Sequence, residues 1–233
     1  MIQLSCNENF FNGYCIERNN MRTVLIAVRH GYSITNFTNT FAGSLDAPLN
    51  EQGIKQAELS GEYLKKYKID KIYSSDLKRA YNTALPIAKL HNLEIIKTKE
   101  LREIFAGDWE GKTYCELKEK YPHQYDVWMG NIGNCEPENG ETVKDFFNRI
   151  KNAVFDIAEK NEGKTVCIVT HAFPIRVMKT ISMGKDASQM NDIEWCANAS
   201  ISIFEYENNS LKLIEYGITD HLGDNVTVIP KSI

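Results

Sequence analysis

The hydrophobic positions of this chain form short unbroken runs that alternate with longer amphipathic stretches. Thr23–Val28 (T-V-L-I-A-V) and Thr165–Val169 (T-V-C-I-V) are apolar and rich in β-branched residues, the pattern of strands covered on both faces. Asp70–Tyr73 and Leu93–Thr98 predict two more short strands. Ser200–Tyr206 and Leu211–Tyr216 predict a hairpin turning at Asn208-Asn209. Helical spacing fills the gaps. Glu51–Lys66 places Ile54, Ala57, Leu59, Tyr63 and Leu64 largely on one face, and Leu77–Leu90 is helical with Pro86 as a candidate kink. Val143–Asn161 is a strongly amphipathic helix, and Pro174–Met183 begins another. Strands alternating with helices predict an α/β fold: a three-layer α/β/α sandwich around a mostly parallel central sheet.

The first twenty residues break this pattern. They are polar, rich in asparagine and without clear period, and a second methionine, Met21, directly precedes the first strand. Residues 1–21 are therefore expected to be an extension outside the core fold, and 22–233 one domain; an added edge strand or cap is the competing reading. Neither an internal repeat nor a low-complexity linker divides the remainder.

Composition narrows the function. The net charge is −4, and 42% hydrophobic with 25% charged residues is ordinary for a globular protein. Basic residues are dispersed, which argues against nucleic acid as a partner and leaves any phosphate selectivity to a local pocket. No run approaches the ~20 apolar residues of a membrane span, and the N-terminus lacks the basic start and apolar core of a secretory signal. Six cysteines stand without a C-x-x-C pair, so reduced thiols in a cytoplasm are expected, with no zinc site and no cofactor.

Two predicted strands end in histidine: Arg29-His30-Gly31 after the first, and Thr170-His171 after Thr165–Val169. Ligands of open α/β sheets collect at strand carboxyl ends. Two imidazoles and a fixed cation there describe a site that grips a phosphoryl group.

Further segments accompany them: S-S-D-L-K-R-A-Y-N-T-A at Ser74–Ala84, L-R-E-I-F-A-G-D-W-E-G at Leu101–Gly111, G-E-T at Gly140–Thr142 and V-T-H-A at Val169–Ala172. With R-H-G-Y-S-I-T-N at Arg29–Asn36 and F-A-G-S-L-D-A-P-L-N-E-Q-G at Phe41–Gly53, the set resembles the histidine phosphatase superfamily, the phosphoglycerate-mutase-like enzymes. The resemblance runs from about residue 22 to 222, in order.

The resemblance implies a division of labour. His30 is the candidate nucleophile, its neutral form favoured by the like charges of Arg29 and Arg79. The product would be a transient phosphohistidine. Arg29, Arg79 and His171 form the phosphate clamp, because the guanidinium fork matches phosphoryl oxygens. Asn36 and the backbone N–H of Ala172 are further donors to substrate. Glu103 is the expected proton shuttle, with Asp108 and Glu110 as rivals. Glu141 has two readings: it orients a clamp arginine or substrate, or it caps the following helix. His91, His123 and His221 are expected to be structural, and Tyr114–Trp128 to form a helical flap over the pocket.

The function expected is that of a metal-independent phosphomonoesterase acting on a small phosphorylated metabolite. The alternatives are phosphoglycerate-mutase-type transfer and a non-catalytic phosphate-binding module. Mutases of this superfamily carry a long basic insert between the positions of Glu103 and Glu141. Here that span is short and offers only Lys112, Lys118 and Lys120 as early cations, which favours the phosphatase branch. The natural leaving group, and whether the chain pairs with its own copies, stay open.

Overall fold

The computed structural model describes residues 21–227. Residues 1–20 of the expected N-terminal extension fall outside the described residues. Strand β1 (Thr23–Arg29) is followed by a short helix α1 (Ile34–Phe37), helix α2 (Glu51–Leu64), strand β2 (Lys71–Ser75), helix α3 (Lys78–His91) and strand β3 (Ile95–Thr98). Helices α4 (Tyr114–Lys120), α5 (Pro122–Gly130) and α6 (Val143–Lys160) lead to β4 (Thr165–Thr170) and α7 (Ala172–Ser182). The last described elements are β5 (Ile201–Glu207), β6 (Ser210–Ile218) and a 3₁₀ helix, Asp220–Asn225.

The strands form one six-stranded sheet in the order β3-β2-β4-β1-β5-β6. The ladders β1–β4, β4–β2 and β2–β3 are parallel, while β1–β5 and β5–β6 are antiparallel. The hairpin predicted from the sequence thus supplies one edge. Its turn residues Asn208 and Asn209 have φ of +52° and +57°, which suits a two-residue turn whose twist matches the strands.

Side chains alternate across the sheet as strand geometry requires. Leu25, Ala27, Val166 and Ile168 enter the apolar layer under α6 and α7, with Phe146, Ile150, Val154 and Val177. Ile26, Val28, Cys167 and Val169 enter the opposite layer, with Ala80, Ala84 and Ile87 of α3 and Leu64 of α2. Burial on both faces explains why β1 and β4 read as continuous apolar runs.

One local expectation needs correction. On α2 the buried face is Gly53, Gln56, Ala57, Ser60, Gly61 and Leu64, whereas Ile54 is 54% exposed. Small residues there allow backbone contact: a Cβ on Gly53 would lie 2.1 Å from the Tyr32 carbonyl oxygen, and one on Gly61 would lie 3.2 Å from the carbonyl carbon of Pro86. Close packing, not bulk, selected that face. The stretch expected to be a helical flap forms two helices, since Tyr121 (φ −128°, ψ 52°) precedes Pro122 and leaves the helical region. Pro86, by contrast, lies within an unbroken α3. Among the described residues no helix is long and apolar enough to cross a membrane.

Candidate active site

Three neighbouring parallel strands end together. Arg29 and Thr170 are register partners in β1 and β4, and Ser75 closes β2 on the other side of β4. This brings His30 and His171, distant in sequence, to a ring-centroid separation of 5.1 Å at 64°. His30 Nδ1 lies 2.7 Å from the Gly31 carbonyl oxygen. A carbonyl only accepts, so Nδ1 carries the proton and Nε2 keeps its lone pair. Burial first, then the charges of Arg79 and Arg29, hold the His30 pKa well below the ordinary imidazole value. His171 is lowered as well, by burial, Arg79, His30 and Arg29 in that order.

The two arginines are buried without a carboxylate partner. Arg29 Nη1 donates to the Cys196 carbonyl at 2.5 Å. Arg79 Nη1 and Nη2 donate to the carbonyls of Leu45 and Gly43 at 2.6 and 2.7 Å. Among the described residues neither takes part in an ion pair. Burial lowers both, Arg79 to about 10, so Arg79 remains charged near neutrality. Carbonyl dipoles fix the guanidinium planes without an ion pair, which leaves the positive charge available to an incoming anion. Arg29 Nε, Arg79 Nε and His171 Nδ1 are buried and lack any partner. His171 is held from its far side, with Nε2 2.8 Å from Ser75 Oγ.

Glu103 stands on the same wall. Its Oε1 accepts from the N–H of Ile104 (3.0 Å) and its Oε2 from that of Phe173 near the start of α7 (3.3 Å). Burial raises its pKa, and those two N–H groups together with Arg79 and Arg29 oppose the rise. Arg29, His30, Asn36, Arg79, Glu103 and Ala172 all line one cavity that is open to solvent. Its upper wall is aromatic: Phe41, Tyr114, Trp128, Phe173 and Trp195. Trp128 packs edge-on against Phe41 (5.2 Å) and Phe173 (5.4 Å) and stacks on Trp195 at 6.2 Å.

Residues 25–219 match the model of the histidine phosphatase superfamily, branch 1. The chain belongs to that superfamily. It is 37% identical to phosphoserine phosphatase 1 of Hydrogenobacter thermophilus over 90% of this chain and 99% of that protein. Among solved structures, it superposes on YhfR of Bacillus stearothermophilus with a TM-score of 0.82, at 29% identity over 86% of this chain and 99% of that one. A phosphoserine phosphatase variant of Entamoeba histolytica, solved with phosphoserine, matches at a TM-score of 0.77 and 27% identity, over 86% and 99% of the two chains. This histidine phosphatase is a phosphomonoesterase, and that reading stands over the mutase and the non-catalytic one.

The remaining candidates fall away from the cavity. Glu141 does not line it; it forms a two-bonded pair with Arg149, both contacts 2.8 Å. Arg149 in turn donates to the carbonyls of Glu100, Arg102 and Glu103. Glu141 therefore orients an arginine, but one that braces the Glu103 segment rather than one at the phosphate end. The helix-capping role belongs to Thr142, whose side chain accepts from the Asp145 N–H. The rivals to Glu103 are also engaged elsewhere: Glu110 Oε1 accepts from Ser44 and Ala106, and Asp108 from Asn139. Lys112 reaches the Asp108 carbonyl, and none of Lys112, Lys118 and Lys120 lines the cavity.

Several contributors were not singled out by residue type in the sequence. Ser75, Thr40, Trp195 and the carbonyls of Gly43, Leu45 and Cys196 carry no chemical motif of their own. Trp195 and Cys196 come from the loop before β5, and only the β1–β5 pairing brings them beside Arg29.

Proposed function

We propose that the chain hydrolyses a small phosphorylated metabolite by a two-step, metal-independent route with His30 as nucleophile. His30 Nε2 attacks phosphorus, an N–P bond forms, and the ester P–O bond breaks while Glu103 gives its proton to the leaving oxygen. Water then attacks the phosphohistidine, Glu103 takes the proton back, and the N–P bond breaks to release inorganic phosphate and neutral imidazole. Arg29, Arg79, His171 Nδ1, Asn36 and the Ala172 N–H bind the phosphoryl oxygens throughout. Preorganised donors in a dry site stabilise the charge that builds on them better than water does.

One observation supports this reading: a lone-pair nitrogen shares a cavity with two buried guanidinium groups that no ion pair engages, beside buried arginine and imidazole nitrogens without partners. The fixed positive charge does what a metal ion would otherwise do. L-Phosphoserine is the first substrate to try, since relatives spanning nearly this whole chain bear that name. The aromatic wall supports testing aryl and other apolar esters beside it. A cytoplasmic setting agrees with free thiols at Cys115, Cys135, Cys167 and Cys196.

The test is hydrolysis of p-nitrophenyl phosphate and phosphoserine with and without EDTA, followed by vanadate. Turnover unaffected by EDTA and blocked by vanadate is expected. Activity that disappears on chelation and returns with magnesium would overturn the proposal.

A further inference from the structure

Two successive peptide planes follow His30, and each is held at both ends. In the His30–Gly31 plane, the carbonyl accepts from Ala199 N–H (3.1 Å) and Asn198 Nδ2 (3.2 Å), and the N–H donates to Thr83 Oγ1 (3.0 Å). In the Gly31–Tyr32 plane, the carbonyl takes the Nδ1 proton of the imidazole, and the N–H donates to Gln56 Oε1 at 2.8 Å. Gln56 is completely buried in α2. Its Nε2 donates to the Asn225 carbonyl at 2.7 Å, at the end of the 3₁₀ helix Asp220–Asn225.

The polarity of this chain of bonds matters. If the Gly31–Tyr32 plane turned over, its N–H would face Nδ1 and its carbonyl would leave. Nδ1 would then have to accept, the proton would move to Nε2, and the nitrogen required for attack would lose its lone pair. The Gln56 oxygen anchors the N–H against that rotation. An amide can itself be reversed, but reversal here would set NH₂ against the Tyr32 N–H and oxygen against the Asn225 carbonyl. Asn225 therefore fixes the sense of Gln56, and Gln56 fixes the sense of the peptide. Helix α2 comes close enough to do so only because Gly31 and Gly53 lack side chains: a Cβ on Gly31 would lie 2.4 Å from the Gly53 carbonyl oxygen.

We propose that Gln56, oriented by the Asn225 carbonyl, is a positioning residue that keeps His30 in its Nδ1–H tautomer and so keeps Nε2 nucleophilic. The inference rests on His30 being the nucleophile.

The experiment compares Gln56→Met, of similar length without an acceptor, with Gln56→Glu, which retains an oxygen toward Tyr32. The readouts are the phosphoenzyme burst with p-nitrophenyl phosphate, vanadate affinity, melting temperature and the ¹⁵N pattern of the His30 ring. Gln56→Met is expected to slow the burst about tenfold to a hundredfold, with vanadate affinity changing much less, and to show a mixture of His30 tautomers. Gln56→Glu is expected to keep the Nδ1–H pattern and most of the burst rate, even with a lower melting temperature. An unchanged burst and unchanged ¹⁵N pattern in Gln56→Met would overturn the inference, as would equal losses in the two variants. His30 protonated on Nε2 in the unaltered protein would overturn it whatever the variants do. Retained turnover in His30→Ala would instead reject the nucleophile assignment on which it rests.

Discussion

The two ends of the cavity are built on opposite plans. At the floor, Arg29, His30 and Arg79, with His171 packed against His30, are each 7% exposed or less, and each is fixed by a backbone carbonyl or a buried hydroxyl. The roof is a cluster of aromatic rings, from the segment after α1, the α4–α5 flap, the start of α7 and the loop before β5. Nearly all the floor donors come from strand ends and the residues just beyond them, whose spacing the sheet dictates. The roof comes largely from connections that the sheet does not constrain. A charge must be held to a fraction of an ångström to stabilise a transition state, whereas apolar contact tolerates variation in shape. In the function proposed, the floor would serve any phosphomonoester and the roof would choose among leaving groups.

The comparison breaks most directly at the nucleophile. His30→Ala should lower turnover by about a thousandfold or more for every ester, good or poor, because the covalent route is lost. Steady-state assays with aryl and alkyl phosphates check this, alongside a melting curve to show that the variant folds. Arg79→Ala should cost about a hundredfold in kcat/KM, again independent of the leaving group, and should weaken vanadate binding. A selective loss in either variant would mean that floor and roof are not separable.

Glu103 lies where the two regions meet, and its signature is intermediate. Glu103→Gln should slow alkyl phosphates by about a hundredfold and p-nitrophenyl phosphate only a few-fold, since nitrophenolate leaves without a proton. The pH dependence follows from the two shifts. His30 is active when neutral and its pKa is depressed, so turnover of aryl esters should persist below about pH 6.5, where a free imidazole would be protonated. Glu103 acts as an acid when protonated and its pKa is raised. Alkyl-ester turnover should therefore extend above the ordinary carboxylate range and fall as pH rises through the Glu103 value. Rate profiles for the two ester types should separate on the alkaline side.

At the roof, Tyr114→Ala should raise KM for bulky aromatic esters about tenfold while leaving small alkyl esters nearly unaffected. A uniform change across esters would place Tyr114 with the floor. The smallest effect is expected from a chain beginning at Met21, which should melt and turn over like the full-length protein. A large drop in melting temperature would show that residues 1–20 pack as part of the fold.

Much of the floor was legible from the residues alone. Arg29-His30 and Thr170-His171 end apolar runs, so the sheet that those runs predict also predicts where the histidines lie. Glu103 and Arg79 were legible only through their family-like segments, since neither follows a strong periodic pattern. Glu141 illustrates the limit. A carboxylate in a G-E-T segment has several uses, and only the position of Arg149, eight residues on along α6, shows that its role is to brace the Glu103 segment. The aromatic roof was partly foreseen as a flap, but its division at Tyr121 and its completion by Trp195 were not.

By itself, the sequence determined the α/β alternation, the strand-end chemistry and the membership that together specify phosphoryl transfer to a histidine. These are local properties: hydrophobic period, residue type and order along the chain. The tertiary structure alone decided which partners each charge has. It left Arg29 and Arg79 without ion pairs, engaged Glu110 and Glu141 outside the cavity lining, and set Gln56 against the peptide that orients His30. Hydrogen bonds and desolvation depend on distances of a few ångströms between residues that lie tens to more than a hundred positions apart. No local pattern encodes those distances; the packing of α2, α6 and β5 against β1 does.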